Sequence, residues 1–186
     1  MAREYLNLIG GKWSAAAGGA TTSDRNPART DEVVGGMKRL GLNPADIKYV
    51  IVSHGHGDHS GGAKFLQDTY KARVLLSEAD WQLLERGTGT KPTRDMVVTD
   101  GQKLTLGDTT LTKYITPGHT EGTISTIIPV KDRGMPHVIA EWGGTLIGGL
   151  RSVEGFQTYI NSAERFRDIM TKAGAEGVIS NHTNYD

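Results

Sequence analysis

The feature that most constrains this chain is the stretch His54-Gly55-His56-Gly57-Asp58-His59, which holds three of its six histidines. It directly follows the apolar run at 49–53, Tyr-Val-Ile-Val-Ser, which is typical of a strand buried on both faces. The two glycines let the loop bend, so that the imidazoles can turn toward a common point. Three imidazoles and a carboxylate are more than one tetrahedral zinc can use once a water is kept. We therefore predict two metal ions at this loop.

Two further histidines follow predicted strands. His119 lies in a Pro-Gly-His-Thr turn within a run of strands from Met96 to Val130, and His182 follows a short strand at Val178–Ser180. Sites on open sheets collect at strand ends, so both can complete the coordination of the two metals. His137 stands instead at the start of a strand, after Met135-Pro136, and we expect it to be structural.

Composition narrows both the chemistry and the partners. The chain has no cysteine, so thiol nucleophiles, disulfides and thiolate ligands are excluded and a metal must be held by His, Asp or Glu. Its 21 basic and 21 acidic residues cancel, which argues against a nucleic-acid or membrane partner and leaves a small-molecule substrate. The lack of a secretory or membrane-spanning apolar run predicts a cytoplasmic protein, although a mature secreted form would look the same.

Apolar periodicity predicts a mixed α/β domain over residues 31–186, preceded by a β-hairpin segment over residues 1–30. Helices are predicted up to Gly41, over 63–70, after a Ser77 cap, and over 156–173 with a stop at Gly174. Strands are predicted at Arg73–Ser77, between Met96 and Val130, and at His137–Trp142.

The His-x-His-x-Asp-His motif after an apolar strand, with Pro-Gly-His-Thr about sixty residues on, resembles the metallo-β-lactamase superfamily over residues 31–186. The resemblance implies an αβ/βα sandwich and a hydrolase with two zinc ions per chain. Carried over residue by residue, it implies His54, His56 and His119 on the first zinc. It likewise implies Asp58, His59 and His182 on the second.

Many members of this superfamily bridge their two metals with an aspartate in a Gly-Asp-Thr-Leu-like segment, where this chain has Gly143-Gly144-Thr145-Leu146. The missing bridge resembles the B3 type of metallo-β-lactamase and argues against the glyoxalase II and nuclease-like branches. A water shared by two zinc ions would ionise at a pKa of roughly 7, and Asp58 would orient the hydroxide or accept its proton. We expect a cyclic amide or ester as substrate, a β-lactam first and a lactone or thioester next.

Other interpretations stay open. The metal could instead be structural, stapling the fold together in a zinc-binding protein with little catalysis. Glu141 could add a metal carboxylate, and three further side chains are near enough in sequence to the ligands to contact them, but we expect structural roles for all of these. The three are Thr120, Thr123 and Tyr185.

The resemblance breaks down at both ends of the chain. The first strands and the Asp-Thr-Gly-like turn of the superfamily have no counterpart, and residues 5–35 resemble the N-terminal hairpin of aldehyde dehydrogenases instead. Dehydrogenase activity is not expected, because the chain has neither a catalytic cysteine nor a dinucleotide fingerprint. The chain also stops four residues after His182, before the closing helix of its relatives. We therefore expect a truncated, chimeric member with a replaced N-terminal segment.

A sheet without its first strands would leave an unpaired edge and an uncovered apolar face. We therefore predict a homodimer or higher even-numbered assembly with residues 1–30, which carry Leu6, Leu8, Ile9 and Trp13, at the interface. Deletion of residues 1–30 should abolish the assembly in light scattering at micromolar concentration. A compact monomer of the full chain, or an unchanged assembly after the deletion, would contradict the prediction.

Overall fold

The computed structural model describes residues 7–9, 12–14, 30–147 and 149–182. Within the segment predicted as a β-hairpin, residues 1–30, the described residues form the antiparallel pair β1 (Asn7–Ile9) and β2 (Lys12–Ser14). Most of the dehydrogenase-like segment, residues 5–35, lies outside the described residues, as does Tyr185. That resemblance and the predicted homodimer stay predictions.

Two larger sheets form the centre of the molecule. Three parallel strands make the first, in the order β3 (Tyr49–Ile51), β4 (Arg73–Ser77) and β5 (Met96–Val98). Five strands make the second, in the order β10-β9-β8-β7-β6, with only β10 parallel to its neighbour. Their bounds are β6 Gln102–Leu106, β7 Thr109–Ile115, β8 Ile124–Asp132, β9 Met135–Trp142 and β10 Gly177–Ser180.

The helices are α1 (Thr30–Arg39), α2 (Gly57–Ser60), α3 (Ala63–Tyr70), α4 (Glu78–Arg86) and α5 (Val153–Ala173), with a 3-10 turn at Pro44–Asp46. Helices α3 and α4 cover the outer face of the first sheet, and α5 covers that of the second. Trp81 of α4 and Ala63 of α3 pack on β4, while Phe166 of α5 packs on β8 and β9. Leu75, Val98 and Ile124 fill the space between the sheets. The order helix, sheet, sheet, helix is the predicted αβ/βα sandwich.

Local signals in the sequence locate most of these elements. Ser77 and Ser152 cap α4 and α5 by accepting backbone N–H bonds, and Gly174 ends α5 with a left-handed φ of 70°. Helix α2, inside the metal-ligand loop, was not predicted, because its four residues carry no apolar period. Within the described part of the chain, no helix is long and apolar enough to span a bilayer.

A polar row crosses the face of the five-stranded sheet that is turned toward the other sheet. Lys113, Thr126 and Glu141 are register partners on β7, β8 and β9. Lys113 is fully buried, its Nζ has no hydrogen-bond partner among the residues that the structure describes, and burial lowers its pKa. Glu141 is half-buried as a residue, yet its carboxyl lies deep enough that burial raises its pKa to about 7, against an opposing bond from Thr126. Both side chains therefore resist ionisation in the folded state.

Glu141 makes stability depend on pH. Above its ordinary pKa of 4.5 the unfolded chain loses the proton, whereas the folded chain keeps it up to about pH 7. Native stability should thus fall by roughly 3 kcal/mol across that window. Urea unfolding in excess chelator should show Glu141→Gln gaining stability over the parent as pH rises from 4.5 to 7. The exposed Glu164→Gln should track the parent; the same slope for both variants would contradict the assignment.

Candidate metal centre

All six predicted ligands lie where strands of the two sheets end on the same edge of the molecule. His54 and His56 follow β3, and α2 then carries Asp58 and His59. His119 follows β7, and His182 follows β10. The two sheet edges are joined there by the backbone N–H of Ile124, which donates to the carbonyl of Ser53 over 2.8 Å. Residues as far apart in sequence as 54 and 182 therefore meet at one place.

The first three ligands converge on one point. His54 Nε2 and His119 Nε2 are 3.0 Å apart, and His56 Nδ1 is also 3.0 Å from His119 Nε2. Two nitrogens on one tetrahedral zinc lie about 3.3 Å apart, since each Zn–N bond is about 2.05 Å. His54 is buried, whereas His56 is exposed and leaves this side of the centre open to solvent. We call these residues the first trio.

Asp58, His59 and His182 form a second trio beside it. His59 Nε2 lies 3.0 Å from His182 Nε2 and 3.2 Å from Asp58 Oδ2, and His182 Nε2 is 3.7 Å from the same carboxylate oxygen. Within each trio the ligand atoms all lie within 4.8 Å of one another. The rings of His54 and His59 are 4.1 Å apart between centroids, so the two trios adjoin.

Backbone carbonyls set the tautomers of two imidazoles in the first trio. His54 Nδ1 donates to the Gly143 carbonyl over 2.9 Å, and His119 Nδ1 donates to the Leu146 carbonyl over 2.6 Å. A carbonyl only accepts, so each Nδ1 carries the hydrogen and each Nε2 presents a lone pair. Two lone pairs 3.0 Å apart repel unless a cation lies between them. The donor set therefore fits a divalent metal.

Burial keeps these imidazoles neutral. Burial and, to a smaller extent, neighbouring histidines lower the pKa of His54 to about 2 and that of His59 to about 4, in His59 against the raising effect of Asp58. Burial likewise lowers the pKa of His119, against an opposing hydrogen bond to Leu146. Only a neutral imidazole can bind a metal, so the ligands are ready at neutral pH.

Gly144 stands where the resemblance to the superfamily would place a bridging aspartate. A Cβ there would lie 2.7 Å from His119 Cβ and 2.9 Å from Thr123 Cγ2, closer than real Cβ atoms approach other atoms. Those two residues stand on the loop after β7 and cannot withdraw as a flexible side-chain end would. A side chain at this position would collide with its neighbours in the observed backbone, so a metal held by the second trio would receive no bridging carboxylate from here.

The side chain of Asn181, which directly precedes His182, links the His182 loop to the segment that contains Gly143 and Thr145. Its side-chain amide donates to the Gly143 carbonyl over 2.6 Å and its Oδ1 accepts from Thr145 Oγ1 over 3.1 Å. The Gly143 carbonyl thus receives bonds from both His54 and Asn181. Sequence reasoning missed these carbonyl contacts, because a backbone oxygen leaves no signal in residue identity. The position of Asn181, a polar residue directly before His182, was the one sequence feature that hinted at these contacts.

The other candidates do not join the ligand atoms. His137 lies elsewhere and bonds Glu176 at 2.9 Å, and the carboxyl of Glu141 interacts with Thr126. Thr120 and Thr123 are buried and bond each other at 2.8 Å. Neither threonine has a hydrogen bond to an imidazole among the contacts that the structure describes.

The family model for the metallo-beta-lactamase superfamily matches residues 17–134, well over half of the chain. That span contains five of the six ligands, and only His182 lies beyond it.

Curated relatives include two hydroxyacylglutathione hydrolases. The Xanthomonas axonopodis pv. citri protein is 29% identical over 113 residues, 61% of this chain and 40% of that protein. The Neisseria meningitidis serogroup A protein is 36% identical over 81 residues, 44% of this chain and 28% of that protein. The chain thus spans less than half the length of these relatives.

Similar solved structures include two metallo-beta-lactamases. BJP-1, a subclass B3 enzyme of Bradyrhizobium japonicum, has a TM-score of 0.67 and 29% identity, covering 87% of this chain and 66% of that one. FEZ-1 from Legionella gormanii has a TM-score of 0.68 and 25% identity, covering 76% and 62%.

Because the two trios are complete and separate, the purified protein should hold close to two zinc ions per chain by elemental analysis after dialysis. His119→Ala and His182→Ala should each lower this to about one, since each removes a ligand from one trio. His137→Ala is the matched control and should retain two. If the parent protein holds a single ion and keeps it after replacement of Asp58, His59 and His182, the second trio is eliminated as a site.

Proposed function

This chain belongs to the metallo-β-lactamase superfamily, and from that premise we propose that it is a hydrolase that uses two zinc ions to open an amide or ester bond. The observation that carries the proposal is the pair of adjoining trios, in which side-chain nitrogen and oxygen atoms from distant loops face one another at short distances. One trio alone would suit a single ion, but two adjoining trios match the chemistry of two-metal hydrolysis.

When bound, the metal pair would lower the pKa of a water molecule and polarise the substrate carbonyl. The protein's own part is to hold the ligand atoms in place and to keep the imidazoles of His54, His59 and His119 neutral. Asp58 is the one carboxylate among the six ligands, and its side chain is 54% exposed. It can orient the attacking water and accept its proton, and solvent can then take that proton away.

A β-lactam is the first candidate substrate. The support is the closed position at Gly144, which leaves Asp58, His59 and His182 to hold the second metal without a bridging carboxylate. Similarity to BJP-1, a subclass B3 metallo-beta-lactamase, agrees with this ligand set.

A thioester is the second candidate. The absence of the bridging aspartate argued against glyoxalase II-like relatives, yet curated relatives at 29% and 36% identity are named hydroxyacylglutathione hydrolases. A lactone remains a further candidate on chemical grounds. A structural zinc with little catalysis is the alternative from another class, since metal binding that is coupled to folding stabilises small domains.

The zinc-loaded protein should therefore hydrolyse at least one member of a panel made of a chromogenic cephalosporin, an S-acyl glutathione and a lactone. His119→Ala and Asp58→Ala should lower the rate about 100-fold or more, because each disturbs the nucleophile's metal or its proton acceptor. His137→Ala should stay near the parent rate.

Chelator should abolish turnover and added zinc should restore it. If no substrate turns over while two zinc ions remain bound and chelation lowers the melting temperature, the structural-zinc alternative holds. Equal loss in all three variants would mean that His137 is wrongly excluded from the site.

A further inference from the structure

A buried carboxylate on α4 lies beneath the first trio and contacts both loops that carry it. We propose that Asp80 is a positioning residue that fixes the His54–His56 loop against the His119 loop and thereby sets the affinity of the first metal site. This inference rests on the proposed function, because it assigns a role within the same metal centre. Asp80 touches neither the ligand atoms nor a substrate.

The contacts of Asp80 join the two loops through a single carboxylate. Oδ2 accepts from the backbone N–H of Gly55 over 2.9 Å and from Thr120 Oγ1 over 2.8 Å. Oδ1 accepts from the backbone N–H of Gly122 over 3.2 Å. Gly55 stands between His54 and His56, and Thr120 directly follows His119. Displacement of either loop would therefore break a charge-assisted hydrogen bond.

The surrounding backbone is shaped for this contact. A Cβ at Gly122 would lie 1.9 Å from Ser77 Oγ and 2.8 Å from Asp80 Oδ1, so only glycine allows the loop to come this close. A Cβ at Gly55 would be 3.0 Å from the Asp80 carbonyl. Both loops therefore pack directly on the first turn of α4.

The Asp80 side chain also does not make the helix-capping contact that its position in the sequence predicts. It lies three residues after the N-cap Ser77, whose Oγ accepts from the Asp80 backbone N–H over 3.3 Å. An acidic side chain at this position of a capping box reaches back to the N-cap N–H. The Asp80 carboxylate instead binds three donors of the ligand loops, and the residue is 1% exposed. Burying a carboxylate is costly unless such donors satisfy it.

The two trios differ in charge, and only the first lacks a negatively charged ligand that could balance a bound cation. The second trio contains Asp58, whereas the first consists of three imidazoles and has no anionic ligand. Asp80 supplies the nearest buried carboxylate that the described contacts connect to the first trio. Its negative charge favours a divalent cation in the neighbouring ligands, and a low dielectric strengthens that attraction.

Asp80→Asn tests the proposal by changing one oxygen to an amide nitrogen, which cannot accept the bonds that the carboxylate accepts. Each site is isolated in the full chain by removing the other: His182→Ala leaves the first trio and His119→Ala leaves the second. Zinc affinity is measured by competition with a chromophoric chelator, and Co²⁺ absorption reports the ligand geometry of each site.

Asp80→Asn should weaken zinc binding about 10-fold to 100-fold in the His182→Ala background and alter the Co²⁺ spectrum there. In the His119→Ala background the affinity should stay within about threefold, since the described hydrogen bonds of Asp80 go to Gly55, Thr120 and Gly122. The control is Asp95→Asn, because Asp95 is also a hydrogen-bonded carboxylate but pairs with Arg73 and the Val74 N–H at the start of β4. It should change neither affinity.

An equal loss at both sites would overturn the proposal, as would a lowered melting temperature with both affinities and both spectra unchanged. If Asp80→Asn does not fold, Thr120→Val removes one donor to the carboxylate and should weaken only the first site, by a smaller factor. An unchanged first-site affinity in that variant would also overturn the proposal. Failure of the proposed function itself is distinguishable, because the parent protein would then lack two zinc ions or turnover before any change at Asp80.

Discussion

The close contact between two unprotonated imidazole nitrogens is the constraint on which the rest of this structure depends. His54 and His119 each give their Nδ1 hydrogen to a backbone carbonyl, which leaves two lone pairs 3.0 Å apart. Such a contact is unfavourable without a cation, and the low pKa of His54 shows that burial disfavours a proton as that cation. A bound metal would relieve this repulsion between lone pairs. We therefore interpret the surrounding loops as a frame, that is, a set of contacts that holds the ligand atoms in place for the metal.

That frame is assembled from both sheets. The parallel sheet delivers His54 and His56, the five-stranded sheet delivers His119 and His182, and the bond between Ile124 and Ser53 joins the two edges. Carbonyl oxygens at Gly143 and Leu146, the amide of Asn181 and the carboxylate of Asp80 then fix the loops. Precision at a metal site depends on such supporting contacts as much as on the ligands, because a ligand free to rotate loses affinity.

The interior between the sheets is less uniform than the site above it. Lys113 and Glu141 share one row with Thr126 in a region otherwise filled by Leu75, Val98 and Ile124. Burying the Lys113 amine, which has no hydrogen-bond partner among the described residues, costs stability whether or not it is charged. The fold therefore tolerates an electrostatic penalty in the interior between its two sheets.

The sequence by itself determined the identity of the six candidate ligands, the strands that precede them, the Ser77 cap and the long helix that stops at Gly174. These follow from local rules, because loop glycines, apolar periods and caps act over a few residues. Tertiary structure alone decided which carbonyls set the tautomers, that a side chain at Gly144 would collide with His119, and that Asp80 turns away from its own helix toward Gly55 and Gly122. Each of these is a contact between segments distant in sequence, and such contacts depend on the packing of the two sheets rather than on any local pattern.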